Sequence, residues 1–144
     1  MKPQLVNSTR TLLPFTVALI AGMTIIQIII VFTPGGPGVL GALLTAAVAI
    51  GCMLWQWHNI KTIAKIRFGK AIVHAVMFGT ITTSFNLHAL IHFAIAMRAG
   101  DATSVAQEFF TTSWVGATLC MSALWGAGFV ASLIGAIAQR GWED

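Results

Sequence analysis

Residues 11–60 contain no Asp, Glu, Lys or Arg, and residues 71–97 and 109–139 contain none either. A soluble domain carries about 25% charged residues to face water, so uncharged runs of this length deny the chain a solvated surface. Here the charged share is 8% and the hydrophobic share 57%, with a mean hydropathy of +0.86. The surplus apolar surface has to meet lipid. At 144 residues the chain is long enough for one compact domain.

A run of ~20 apolar residues crosses a ~30 Å hydrocarbon core at ~1.5 Å rise per residue. Four stretches qualify, at about 11–32, 38–57, 71–97 and 112–138. The expected architecture is therefore an all-α integral membrane protein, a single domain of four transmembrane helices in an up-down-up-down bundle. The first run stops at Thr33-Pro34-Gly35-Gly36-Pro37, a turn that cannot stay helical. Pro14 reads as a first-turn residue marking a helix start, since its missing N–H costs little there. The first run is expected to be a retained helix. It exceeds the 7–15 apolar residues of a signal sequence, and no small-residue cleavage pattern follows it.

Orientation follows from Lys and Arg, which favour the cytoplasmic side. Lys2 and Arg10 precede the first span, Lys61, Lys65, Arg67 and Lys70 separate the second from the third, and Arg140 follows the fourth. Only Arg98 falls on the other side. Both termini and the 58–70 loop are thus expected in the cytoplasm of a cell with a bacterial-type inner membrane. Basic residues placed at the ends of apolar runs answer to membrane topology, and the net charge of +4 gives no reason to expect nucleic acid. The segment IKTIAKIRFGK, residues 60–70, serves as positive-inside residues or as an amphipathic turn on anionic headgroups. Residues 99–111 form the external piece, with a short surface helix capped by Asp101 or Thr103. Cys52 and Cys120 both lie in apolar stretches and read as buried free thiols.

Because lipid is as apolar as a neighbouring helix, association depends on close backbone approach. The fourth span offers Ala123, Ala127, Ala131 and Gly135 at i+4 spacing, and the second offers Gly38, Ala42 and Ala46. These strips suit the internal bundle or, alternatively, a homo-oligomer. Span one, with bulky Ile25, Ile26, Ile28, Ile29 and Ile30 all round, is expected to face lipid most. Trp55, Trp57 and Trp114 fall near helix ends, as an aromatic belt requires.

The third span is the polar exception: TITTSFNLHALIHF at 80–93 carries three threonines, a serine, an asparagine and two histidines. On a wheel of ~100° per residue, Ser84 lies at about −40° from His88, and both His74 and His92 at about +40°. Thr82 and Asn86 fall on a second face, so the helix has polar neighbours on two sides. Counting from the outer membrane face, His92 lies ~8 Å deep, Gln27 ~9 Å, Cys120 ~13 Å, His88 ~14 Å and Asn86 ~17 Å. A polar layer in the outer half follows from those depths.

Several uses of that layer are open. His88 and His92 share a face at i, i+4, and with Cys120 they offer imidazole and thiolate ligands suited to copper or zinc. The 14-residue separation of His74 and His88 resembles that of helices holding two stacked haems in b-type cytochromes. That likeness implies haem b, with His58 as the second axial ligand beside His74. An oligomeric channel or transporter is a further alternative, although no span carries a carboxylate in its middle. The leading expectation is that Ser84, Asn86 and the histidines bond helices to one another and hold no cofactor. The histidines lack a carboxylate to orient them for acid–base work, so no enzyme is expected. The chain is expected to act by binding lipid and another membrane protein, or a second copy of itself. An accessory subunit of a membrane complex and an immunity or exclusion protein both fit that description.

Overall fold

The computed structural model describes residues 8–98, 102–111 and 113–138. Lys2, Arg140 and Asp101, which enter the charge count and the cap expectation, lie outside the described residues. Within them every regular element is helical and there is no strand. The order is α1 (Ser8–Val31), α2 (Gly38–Ile63), α3 (Gly69–Arg98), α4 (Ala102–Thr111), α5 (Ser113–Val115), a π-helical turn (Gly116–Cys120) and α6 (Met121–Ala138). The last three run on as one stretch, Ser113–Ala138. Thr9–Val31, Gly38–Ile63 and Ser113–Ala138 are each long and apolar enough to cross a membrane. The set omits α3, whose 30 residues extend ~45 Å but include the polar stretch at 80–93.

Helix starts depart from expectation at Pro14. α1 already begins at Ser8, which leaves Pro14 inside the helix. There it cannot donate to the carbonyl four residues back. α2 also continues beyond the expected end at residue 57, into the basic segment as far as Ile63. Ile63 is buried while Ile60 is exposed, so these residues do not share one lipid-facing side. α4 forms in the external piece as expected. It starts at Ala102, placing Thr103 within its first turn and not at the cap.

Neighbouring contacts fix the directions. Phe15 stacks on Trp55 with ring centroids 4.1 Å apart, bringing the start of α1 beside the end of α2. Gln56 Nε2 reaches Met77 Sδ at 3.3 Å, joining α2 to the first half of α3. Phe78 stacks on Phe129 and His88 meets Trp114, so α3 and the last helix run antiparallel. Gly126 makes room for this packing: a Cβ there would lie 3.3 Å from the Phe78 ring.

α3 is the central element, with α1 on one side and α6 on another. Its Val73, Met77, Ile81, Phe85 and Ala89 are buried. α1 supplies Phe15, Leu19, Met23, Ile26 and Ile30 to the same core at spacings of three and four. The expectation that span one faces lipid most is therefore overturned. In the most apolar window of Thr9–Val31, 28% of residues are buried, against none in that of Ser113–Ala138. Of its isoleucines, Ile26 and Ile30 face inward while Ile20, Ile25, Ile28 and Ile29 face out, a pattern that an all-round apolar sequence conceals.

Candidate functional site

The outer half of the α1–α3 contact holds a directed chain of hydrogen bonds. Ser84, His88 and His92 recur at i+4 on one face of α3, and Gln27 reaches them from α1. His88 Nδ1 lies 2.7 Å from Gln27 Oε1. An amide oxygen only accepts, so Nδ1 carries the proton, and in the neutral ring Nε2 is then the bare nitrogen. Gln27 Nε2 donates to Ser84 Oγ at 3.2 Å, and Ser84 Oγ donates to the Ile81 carbonyl at 2.8 Å. No donor faces a donor and no acceptor an acceptor, so the three bonds are mutually consistent.

Trp114 roofs the cluster and is 3% exposed. Its ring meets His88 edge-on at 4.9 Å and stacks on His92 at 5.5 Å with an interplanar angle of 24°. Above it sits the turn between α1 and α2. Gly36 has φ +80, a conformation L side chains rarely adopt, and a Cβ there would come within 3.0 Å of Trp114 Nε1. Ser113 Oγ donates to the Gly35 carbonyl at 3.3 Å, tying the same two segments. Trp114 therefore does not serve the aromatic belt expected of it. Trp57 is 82% exposed, and Trp55 turns inward onto Phe15.

Below this roof a groove of about 980 Å³ runs between α1 and α3. Its walls span Thr16 to Val31 on α1 and Ala75 to Ile95 on α3, so it follows the helices for ~30 Å. Gln27, Ser84, His88 and His92 line its outer end, with Thr80 and Thr83 below them. Among the described residues that line it, none is an Asp, Glu, Lys or Arg.

Of the expected polar layer, the structure brings Gln27, Ser84, His88 and His92 together and leaves Asn86 and Cys120 exposed. Among the described residues no three His, Cys, Asp or Glu side chains gather to hold a metal ion, so Cys120 does not complete the His88–His92 pair. His58 is exposed on α2, and His74 Nδ1 donates to the Lys70 carbonyl of its own helix at 2.9 Å. Cys52 is buried as expected.

The small-residue strips also face away from the bundle. Ala123, Ala127 and Ala131 are exposed and Gly135 is half-buried, while Gly38, Ala42 and Ala46 are exposed on α2. The buried residues of α2 are Gly41, Thr45, Cys52 and Ile63. On α6 the inward side is that of Trp125, Gly126 and Phe129, the last two lying against Phe78; i+4 spacing within one helix identifies a strip but not the side it turns to its neighbours. The residues missed from sequence are Trp114 and Gly36. Their signal was a boundary tryptophan facing a Pro-Gly-Gly-Pro turn across nearly eighty residues. No protein-family model, curated protein or solved structure matches the chain.

Proposed function

We propose that this chain is a four-span protein of a bacterial-type inner membrane, with both termini cytoplasmic, that works by binding another membrane protein and catalyses no reaction. α3 supplies the fourth crossing. Its length is sufficient, and Thr82 and Ser84 return their hydroxyl protons to its own carbonyls, which lowers the cost of polar groups in lipid. The orientation rests on Arg10, Lys61, Lys65, Arg67 and Lys70, which cluster where α1 starts, α2 ends and α3 begins, against Arg98 at the far end of α3.

The observation that carries the binding reading is α6. None of its residues is buried, and it presents Ala123, Ala127 and Ala131 outward at i+4. A smooth strip lets a second backbone approach closely, and van der Waals packing of that kind drives helix association in lipid. A subunit of a larger membrane complex, a pore-forming protein held inactive, or a second copy of the chain would each seat there.

A photoreactive residue at Ala127 in native membranes tests the proposal. The expected result is a discrete protein adduct that is absent when the reactive group is placed at Ile25 and lost with Ala131→Leu. Lipid adducts alone at both positions would overturn it, as would ion flux by the purified protein in liposomes.

A further inference from the structure

We infer that the α1–α3 groove is a binding site for a neutral long-chain amphiphile bearing a hydroxyl group. Its head would sit beneath Trp114 and its chain would run toward the Thr16–Ala75 end. Three features of the groove define this ligand class, and none involves the α6 strip.

The first is polarity along its length. Gln27, Ser84 and His88 lie together toward the outer end, among Ile28, Leu87 and Ile91. Toward the inner end Ile20, Met23 and Ala75 line the walls, and the hydroxyls of Thr16 and Thr24 there are spent on carbonyls of their own helix. One polar head near the cluster and one apolar tail below it match that arrangement. The second is charge. The described lining residues include no Asp, Glu, Lys or Arg to balance a phosphate, carboxylate or ammonium in a medium that penalises bare charge. The head is therefore uncharged.

The third is hydrogen-bond direction. His88 Nδ1–H is committed to Gln27, one of whose two amide N–H groups is committed to Ser84, whose hydroxyl is committed to the Ile81 carbonyl. The cluster leaves a ligand the second amide N–H of Gln27 and, on the neutral ring, the acceptor lone pair of His88 Nε2. A hydroxyl, which both accepts and donates, meets both; an ether or ester oxygen only accepts and leaves His88 Nε2 unmet. A transmembrane helix is a poorer occupant because the groove ends under Gly35, Gly36 and Trp114. A helix laid along it would run into that turn. The volume of about 980 Å³ lies at the upper end of the roughly 300–1,000 Å³ range of small-molecule sites.

The test uses the full chain in nanodiscs of uncharged lipid and, as probe, hexadecanol with a diazirine on its chain. Adducts are mapped by mass spectrometry. Labelling should concentrate on Ile20, Met23, Ala75 and Val76 and saturate. Unlabelled hexadecanol should compete about tenfold better than its methyl ether or hexadecyl phosphate, the difference one hydrogen bond supplies. His88→Phe, which keeps a ring without the acceptor, should abolish the preference for alcohol over ether. Because His88 is partly buried and its variant is at risk of misfolding, Ile91→Trp serves as a second variant. Ile91 is exposed on the groove wall, and the larger ring should block labelling in a protein that folds normally. Adducts spread evenly over Ile25, Leu54 and Leu133 would mean bulk partitioning and overturn the inference. Equal competition by alcohol and ether would do the same.

Discussion

Gln27 uses both ends of its amide, accepting from His88 and donating to Ser84, so one side chain orients two groups on the neighbouring helix. Gln27→Leu keeps the volume and leaves the His88 N–H without an acceptor. We expect a loss of about 1–2 kcal/mol, since a bond between membrane helices is worth roughly 1 kcal/mol and a stranded donor adds to it. The measurement is equilibrium unfolding in mixed micelles. Glycine gives a contrasting pair. Gly36→Ala forces a Cβ onto Trp114 at a positive φ and should destabilise by about 1–3 kcal/mol. Gly22→Ala meets nothing within 4 Å in mid-helix and should be neutral or stabilise by up to about 1 kcal/mol. If both changes had the same effect, the packing of Trp114 under the turn would be refuted. At this scale the sequence was partly legible. Depth counting put Gln27, His88 and His92 in one layer because rise per residue is fixed. It put Asn86 and Cys120 there too, because depth carries no information on which way a side chain faces.

Rotation about the helix axis is what the π turn changes. Gly116–Cys120 inserts one residue of extra winding, after which Ala123, Ala127 and Ala131 face out and Trp125 and Phe129 are partly buried. The Ala123–Gly135 strip lies wholly beyond the turn in regular α-helix, so its i+4 spacing holds; spacing alone does not tell whether a small-residue strip faces its own bundle or outward. Deleting Leu119, itself exposed, should convert the π turn to α-helix at the cost of rotating one side of it against the other. Trp114 and Phe129 cannot then both keep their partners on α3. We expect a fall in melting temperature larger than that of Leu119→Ala, with Trp114 losing its protection from aqueous fluorescence quenchers if the outer half gives way. Unchanged melting would show that the π turn carries no packing role. α1 teaches the complementary lesson: five isoleucines hid which two, Ile26 and Ile30, belong to the core.

For the whole molecule, the helical class and the positions of the long apolar segments were legible because a charge-poor chain has few ways to satisfy its backbone in lipid. Arrangement was less so, since lipid and protein interiors attract apolar side chains almost equally. The proposed orientation makes a direct forecast in a Cys120→Ala background. A cysteine at exposed Lys65 should resist a membrane-impermeant maleimide added to intact cells and react after lysis, while one at exposed Thr103 should react in both. The opposite pattern would invert the orientation. The tight turn at Thr33–Pro37 has a bearing on biosynthesis as well. α1 and α2 are joined by so few residues, none of them charged, that the pair carries almost no hydrophilic cargo across. In the proposed topology such a helical hairpin can enter the bilayer as one unit, since its connection brings little polar surface to carry through.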